Sequence, residues 1–283
     1  MLFNERKFVF YDGAMGTMLQ DSGLGPGERP DILNIIAPAA VENVHRLYVE
    51  AGSDIICTNT FGANAHALLG TGYSPGEIVT AAVVIAKRAC GGKAKVALDI
   101  GPLGLLMAPM GDLEAKEAYR LFLEQAIAGA EAGADFAAVE TMSDAMELRA
   151  AITAVTENTS LPVLATMTFN KTGVTYMGCT AEVFAETAER SGAAAIGINC
   201  SYEPAEMYPT VERIAKVTNL PLIVKPNAGL PNSETGSYSI GPEEFASQMA
   251  QYAELGVKIV GGCCGTTPEY IRELRRVFLE NYQ

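Results

Sequence analysis

Three cysteines in two distant segments are the residues best suited to chemistry in this sequence. Cys263 and Cys264 stand side by side in "VGGCCGTTPEY" (residues 260–270), and Cys200 ends "AAAIGINC" (residues 193–200). A set of three thiolates suits a soft or borderline metal ion, and zinc comes first by ligand type and tetrahedral preference. Three protein ligands also leave the fourth position open, which is typical of a catalytic zinc site.

Adjacent cysteines can reach one ion only where the backbone leaves strand geometry, because successive strand residues point to opposite faces. Gly261, Gly262 and Gly265 permit that departure. Two other interpretations of the trio remain open: small buried apolar residues, or a strained disulfide between the adjacent pair. The remaining cysteines are expected to serve packing, although the first of them lies at a strand end: Cys57, Cys90 and Cys179.

The overall composition narrows the class of protein. The chain has 283 residues, of which 49% are hydrophobic, and its 20 basic and 33 acidic residues give a net charge of −13. Such a charge disfavours binding to nucleic acid or to an anionic membrane surface. No signal peptide and no apolar run of about 18 residues is visible, so we expect a cytoplasmic protein without a membrane span. Its six cysteines are then expected to be free, catalytic or metal-bound.

Strand and helix patterns alternate along the chain. Short β-branched segments predict eight strands, at residues 8–12, 54–60, 94–100, 135–141, 162–169, 193–200, 221–227 and 257–263. Longer segments rich in Ala, Glu and Leu predict eight helices, near residues 38–51, 75–90, 114–132, 143–158, 180–191, 204–218, 242–255 and 268–280. Thr180 and Thr267 are the expected N-caps of two of these helices.

This alternation predicts an α/β fold, a (β/α)₈ TIM barrel that forms a single domain over residues 1–283. The predicted strands are apolar along nearly their whole length, as expected of strands buried on both faces. A doubly wound open sheet is the alternative. The segment "DGAMGT" (12–17) does not match the glycine pattern G-x-G-x-x-G that such sheets often carry after their first strand.

Polar residues at the carboxyl ends of the strands are the next candidates, because barrel enzymes place their chemistry there. Asp12 and Glu140 either brace loops or recognise a cationic group such as a substrate ammonium. Lys225 forms either a Schiff base or a salt bridge at the barrel mouth. His45 and His66 both lie outside the strand ends, which disfavours a histidine-based acid–base mechanism. Further polar residues at strand ends are Thr58, Asn59, Thr60, Asp99, Asn199 and Asn227.

Six motifs together resemble the homocysteine S-methyltransferase family, over about residues 8–275. They are "DGAMGTMLQ", "DIICTNTFGAN", "GPLG…MGDL", "GINCS", "KPNAGLP" and "GGCCGTTPEY". Within that family the resemblance is closest to the homocysteine-binding module of cobalamin-dependent methionine synthase. The pairing of "INC" with "GGCCGTTP" is highly specific, whereas "DGAMGT" alone would be weak.

The resemblance implies a zinc-dependent barrel that methylates a thiol, with Cys200, Cys263 and Cys264 as the zinc ligands. It implies that Asp12 and Glu140 hold the ammonium of homocysteine, and that Asn227, also counted among the substrate-binding residues, lies close to the metal. It also sets aside the Schiff base at Lys225, which the family does not use. The backbone N–H groups implied for the substrate carboxylate are those of Ala14, Met15, Gly16 and Thr17.

The implied chemistry needs no separate general base. Zinc coordination removes the proton of the substrate thiol, and the resulting thiolate attacks an activated methyl group. The donor is left open between a separate corrinoid protein and a small methylated compound such as S-methylmethionine or a betaine. The chain is either one piece of a longer enzyme or a methyltransferase that stands alone.

Three alternatives to this function are retained. One is a methyltransferase that acts on another thiol, one is a zinc- and thiol-binding module without turnover, and one is a lyase or aldolase that uses Lys225. The segment Tyr202–Tyr208, which follows the first cysteine, either alters acceptor or donor preference or serves ordinary packing.

Overall fold

The fold is a (β/α)₈ barrel, as the alternating sequence pattern predicts. The computed structural model describes residues 5–25, 27–232 and 237–282. Eight strands form one sheet in which every paired neighbour is parallel. Their bounds are β1 Val9–Phe10, β2 Ile55–Cys57, β3 Lys95–Ile100, β4 Phe136–Met142, β5 Val163–Met167, β6 Ala195–Cys200, β7 Leu222–Pro226 and β8 Ile259–Val260.

Helices follow the strands and cover the outside of the sheet. Their bounds are α1 Met15–Asp21, α2 Leu33–Ile36, α3 Pro38–Ala51, α4 Pro75–Cys90, α5 Ala115–Glu131, α6 Ala145–Thr156, α7 Ala181–Arg190, α8 Pro204–Ala215, α9 Pro242–Ala250 and α10 Pro268–Asn281. Two 3₁₀ turns cover Pro30–Ile32 and Gln251–Ala253. In the described part of the chain, no helix has both the length and the apolar character that crossing a bilayer requires.

Helix starts agree only in part with the expected caps. The Thr180 side chain accepts a hydrogen bond from the N–H of Val183, as an N-cap should. Thr267 occupies the N-cap position of α10, with Pro268 in the first turn, but its side chain makes no capping hydrogen bond. The sequence patterns did not predict α1, α2 or the 3₁₀ turn before α2, because these pieces are too short for a helical period to be visible.

The sheet closes between its first two strands. Strand order runs β1-β8-β7-β6-β5-β4-β3-β2, and β1 meets β2 through a bridge between Tyr11 and Ile55. The N–H of Asp54 adds a hydrogen bond of 2.7 Å to the carbonyl oxygen of Phe10. We call this short junction the β1–β2 seam. It is shorter than the pairing of β3 with β4, which are matched over four consecutive residue pairs.

Alternation along the strands divides the apolar residues into an inner and an outer set. The outer set packs under the helices. The inner set fills the barrel with Val9, Tyr11, Ile55, Cys57, Ala97, Phe136, Ala138, Leu164, Ala195, Ile223 and Ile259. One step of two residues beyond Ala97, Ala138 and Ile223 leads to Asp99, Glu140 and Lys225. The polar side chains of the barrel mouth therefore continue the inner layers toward the carboxyl ends of the strands.

Strands β6 and β7 approach each other closely at one glycine. A Cβ atom at Gly197 would lie 1.8 Å from the carbonyl oxygen of Ile223. No side chain fits such a gap, so glycine at this position lets the two strands that carry Cys200 and Lys225 pair in register.

Candidate metal centre

Three thiols converge at the carboxyl end of the barrel. Cys200 is the last residue of β6, whereas Cys263 and Cys264 lie in the loop that follows β8. Their Sγ atoms all lie within 4.8 Å of one another, and the Sγ atoms of Cys200 and Cys264 are 3.8 Å apart. A tetrahedron of thiolates at about 2.3 Å from a metal ion has an edge of about 3.8 Å. The trio therefore fits a single tetrahedral ion.

The backbone leaves strand geometry at both segments, as two adjacent ligands require. Beyond β8, the N–H of Cys263 donates to the carbonyl oxygen of Pro226 at 2.8 Å, and Gly265 has a φ of +80°. At the end of β6, Cys200 and the following Ser201 have φ values of +56° and +61°, which are rare for residues other than glycine. These turns bring the thiol of Cys200 round to meet the adjacent pair.

Two asparagines hold the thiol-bearing segments in place. The side-chain oxygen of Asn227 accepts a hydrogen bond of 3.1 Å from the N–H of Cys264. The side-chain nitrogen of Asn199 donates to the Sγ of Cys263 at 3.9 Å and to the hydroxyl of Thr141 at 2.7 Å. Its oxygen accepts from the N–H of Thr141 and from the hydroxyl of Thr166. Every polar atom of the buried Asn199 side chain is thus used to orient the centre.

The three thiols share their protons. Hydrogen bonds with Cys263 and Cys264 lower the pKa of Cys200, and the same bonds with Cys200 raise the pKa of the other two. Groups linked in this way titrate as one unit. A divalent cation among them would replace the shared protons, because metal coordination deprotonates a thiol.

A cavity of about 480 Å³ opens beside the thiols. It is lined by all three cysteines and by most of the residues that were predicted to bind substrate, namely Asp12, Ala14, Met15, Gly16 and Glu140. Thr17 and Asn227 are not in its lining and lie one layer behind. The hydroxyl of Thr17 accepts from the N–H of Gly265 at 3.2 Å, so both residues contact the loop that carries Cys263 and Cys264.

The start of α1 faces the cavity with unused backbone donors. The first N–H groups of any helix lack an intrahelical acceptor, and no side chain among the described residues caps α1. The N–H of Ala14 is already used, because it donates to the carbonyl oxygen of Thr266 at 3.0 Å. Among the described residues, the donors that remain at this end are those of Met15 and Gly16, which line the cavity, and that of Thr17, one layer behind them.

Buried charges form the opposite wall. Lys225 makes an ion pair with Glu140, and its Nζ atom lies 4.4 Å from the centroid of the Tyr11 ring. Asp12 accepts a hydrogen bond of 2.7 Å from the N–H of Cys57, across the β1–β2 seam. Burial raises the pKa of Asp12 to about 7, although Lys225 opposes the shift. Lys225 thus has the salt-bridge role that the sequence left open.

Asp99 belongs to the same wall but differs from its neighbours. It is 8% exposed, it lines the cavity, and its buried Oδ1 atom has no hydrogen-bond partner among the described residues. Burial and then Glu140 raise the pKa of Asp99. From the sequence alone, Asp99 and Asn199 are only two of several polar residues at strand ends. The signal that could have singled them out is their two-residue spacing from inner-facing alanine and glycine.

The remaining sequence candidates lie away from the thiols or pack around them. Cys90 and Cys179 are buried in the core, as expected, while Cys57 belongs to the inner apolar set and also lines the cavity. His45 is fully buried in α3 and His66 is exposed. In the segment Tyr202–Tyr208, Met207 is buried and the Tyr208 ring packs on Tyr252 at 5.6 Å. Those two side chains therefore serve packing.

Comparisons with known proteins agree with this architecture. A family model described as "Homocysteine S-methyltransferase" matches residues 9–278. Methionine synthase from Mycobacterium leprae (strain TN) is 35% identical over 285 aligned positions, which cover 93% of this chain and 24% of that enzyme. Methionine synthase from Mycobacterium tuberculosis is 34% identical over the same shares of both chains. The chain thus spans about a quarter of the length of these relatives.

Solved structures give the same fold. The metallated form of the homocysteine methyltransferase MmuM from Escherichia coli superposes with a TM-score of 0.84 and is 21% identical. That alignment covers 97% of this chain and 98% of MmuM. The apo form superposes with a TM-score of 0.76 and is 20% identical, with 98% of each chain covered.

Proposed function

Because the chain belongs to the homocysteine S-methyltransferase family, we propose that it transfers a methyl group to the thiol of homocysteine at a zinc ion held by Cys200, Cys263 and Cys264. The observation that carries this proposal is the spacing of the three sulfur atoms, all within 4.8 Å, beside a cavity of about 480 Å³. Zinc bound there would supply the positive charge that removes the proton of a substrate thiol and an open position for its sulfur.

The residues of the chain bind and orient the substrate. Asp12 and Glu140 are the proposed partners of the substrate ammonium, as the family resemblance implies. The free N–H groups of Met15, Gly16 and Thr17, at the start of α1, are the proposed donors to its carboxylate. Asn227 and Asn199 are positioning residues, since they contact the cysteines and lie outside or behind the cavity lining.

The apolar inner layers below the charged wall exclude water from the floor of the cavity. In such surroundings the attraction between fixed charges and the two charged ends of an amino acid is stronger than in water. Fixing both ends would hold the substrate sulfur near the cysteines in the orientation that methyl transfer needs. No histidine takes part in this scheme.

The methyl donor remains either a separate corrinoid protein or a small methylated compound. The proposed location is the cytoplasm, where the thiols that this function needs stay reduced. All six cysteines are free in the structure, which is consistent with that location.

Zinc content and methyl transfer test the proposal together. Protein purified under reducing conditions is expected to hold about one zinc ion per chain, and Cys264→Ala is expected to lose it. The matched control is Cys179→Ala, a buried cysteine outside the trio that should retain the metal. Methylation of homocysteine is then assayed with methylcobalamin and with S-methylmethionine.

The outcomes separate the candidate functions. A wild-type protein that held no zinc and bound no homocysteine would contradict the proposal. One that bound both without methyl transfer from any donor in a broad panel would instead be a zinc- and thiol-binding module.

A further inference from the structure

One carboxylate in the cavity wall, that of Asp99, makes no ion pair with any described residue. Asp99 lies on β3, two residues beyond the inner-facing Ala97, and only 8% of its surface is exposed. Its Oδ1 atom has no hydrogen-bond partner among the described residues, and the side chain lines the cavity. A buried, unpaired carboxylate is unfavourable, because burial removes the water that would solvate its charge. Binding of a cation next to the Asp99 carboxylate is therefore favourable.

The cations already present in the wall are engaged elsewhere. Lys225 pairs with Glu140, and its Nζ atom is also held by the Tyr11 ring and lies 3.9 Å from the Sγ of Cys57. Arg29, the other cation in the lining, pairs with Asp31 at 3.0 Å and donates to two backbone carbonyls. Neither cation makes an ion pair with Asp99 among the described residues, although the charge of Lys225 lowers the pKa of Asp99 against the larger effects of burial and Glu140.

The balance of charge across the wall follows from these pairs. Asp12, Asp99 and Glu140 bring three potential negative charges to one side of the cavity, and Lys225 brings one positive charge. Because Lys225 is paired with Glu140, Asp12 and Asp99 are the two of these three carboxylates that make no ion pair with a described residue. A ligand ammonium bound next to Asp12 and Asp99 would bring a second positive charge to the three carboxylates of the wall.

We propose that Asp99 is a substrate-binding residue that receives the ammonium group of the amino-acid substrate, because Lys225 already occupies Glu140. This inference rests on the proposed function and replaces one of its two ammonium partners: the ammonium lies between Asp12 and Asp99 instead of between Asp12 and Glu140. Lys225 removes one acceptor from the wall, and Asp99 supplies another. The preference of the site for a thiol that carries an ammonium group then depends on Asp99 of β3.

A comparison of two ligands tests the inference. Homocysteine and 4-mercaptobutyrate have the same thiol and carboxylate and differ in the ammonium. Their dissociation constants are measured by calorimetry on the zinc-loaded protein under reducing conditions. We expect Asp99→Asn to weaken homocysteine binding by at least about tenfold, while binding of 4-mercaptobutyrate changes by less than about threefold. The matched control is Asp112→Asn on the exposed surface, which should change neither.

A second variant keeps the test decisive if Asp99→Asn fails to fold. Lys225→Met frees Glu140 for the ligand, so homocysteine should bind more tightly than to wild type and 4-mercaptobutyrate should not. In the double variant, Asp99→Asn with Lys225→Met, homocysteine binding should return toward the wild-type value, because Glu140 takes over from Asp99.

Equal loss of both ligands in Asp99→Asn, or no loss of either, would overturn the assignment of Asp99, and so would a Lys225→Met protein with unchanged preference. Those results would leave the proposed function standing. A wild-type protein that took up no zinc or bound neither thiol would instead contradict the proposed function itself.

Discussion

The side-chain oxygen of Asn227 accepts a hydrogen bond from the backbone N–H of Cys264, with 3.1 Å between the two atoms. The same side chain contributes to the low pKa of Cys200, after the larger effects of hydrogen bonds with Cys263 and Cys264. Asn227 thus contacts both chain segments that supply the thiols. Its position just after β7, between β6 and β8, is what allows a single side chain to reach both.

Removal of this contact should weaken the metal centre without abolishing it. We expect Asn227→Ala to lower zinc affinity by about 10- to 100-fold, as is typical when a group that orients metal ligands is lost. Affinity is measured by competition with a chromogenic chelator under reducing conditions. Asn219→Ala, on the exposed surface after α8, is the matched control. Equal zinc affinity in the two variants would show that Asn227 does not position the cysteines.

Gly197→Ala should prevent β6 and β7 from pairing as they do. The added methyl group would meet the carbonyl oxygen of Ile223 at 1.8 Å, and backbone on a paired strand has little room to move. We expect a loss of at least about 3 kcal/mol in the free energy of unfolding, or failure to fold. The control is Gly76→Ala in the first turn of α4, where no atom lies within 4 Å of the new methyl group. Urea denaturation should show that variant to be as stable as wild type or more so.

His45 should make the protein less stable in mild acid. Its ring is fully buried, both nitrogens lack partners among the described residues, and burial lowers its pKa from 6.5 to about 4. The unfolded chain therefore binds a proton below pH 6.5 that the folded protein accepts only near pH 4. The contribution of the neutral His45 ring to the free energy of unfolding is complete above pH 6.5. It falls by about 3 kcal/mol as the pH drops to 4.

Denaturation of His45→Leu across this pH range isolates that contribution. The variant should lack the part of the acid dependence that His45 causes, whereas His66→Leu, at an exposed position, should keep it. If the stability profiles of wild type and His45→Leu ran parallel from pH 4 to 6.5, the ring of His45 would have to be solvated or paired.

Glu147 should make the protein less stable as the pH rises from 4.5 to 7, the opposite of the effect of His45. The side chain is buried in α6, it accepts a hydrogen bond of 2.8 Å from the N–H of Leu103, and burial raises its pKa from 4.5 to about 7. The folded protein then holds a proton that the unfolded chain releases above pH 4.5. Its stabilising effect is complete below pH 4.5 and is lost as the pH rises to 7, by about 3 kcal/mol.

The variant Glu147→Gln keeps the acceptor and cannot ionise. Relative to wild type, its free energy of unfolding should increase between pH 4.5 and 7, and the control Glu124→Gln, which carries the same change on α5, should show no such increase. A constant difference between Glu147→Gln and wild type over this range would contradict the assigned pKa.

The fold was predictable because barrel strands and helices differ strongly in composition. The helices Pro38–Ala51 and Pro75–Cys90 begin and end where the sequence pattern places them. The first and last strands are shorter than their apolar segments, since β1 and β8 stop after two residues each. Burial continues beyond the last hydrogen-bonded pair, and an apolar run reports burial rather than pairing.

The candidate site was predictable to the extent that it depends on residue type. Three cysteines flanked by glycines indicate a metal site in any barrel that brings them together. The pairing of Lys225 with Glu140, and the isolation of Asp99, depend on distances across β3, β4 and β7. Those distances follow from register and barrel closure, which no local pattern encodes.

Asp12 has a bearing on how this barrel could be redesigned. Its carboxylate is both a proposed ligand contact and a bond across the β1–β2 seam, through the N–H of Cys57. Substitutions there change acceptor preference and barrel closure together, so a library built on position 12 would be enriched in misfolded clones. Position 99 lies inside a complete ladder between β3 and β4. Directed evolution toward new thiol acceptors is better begun at that strand.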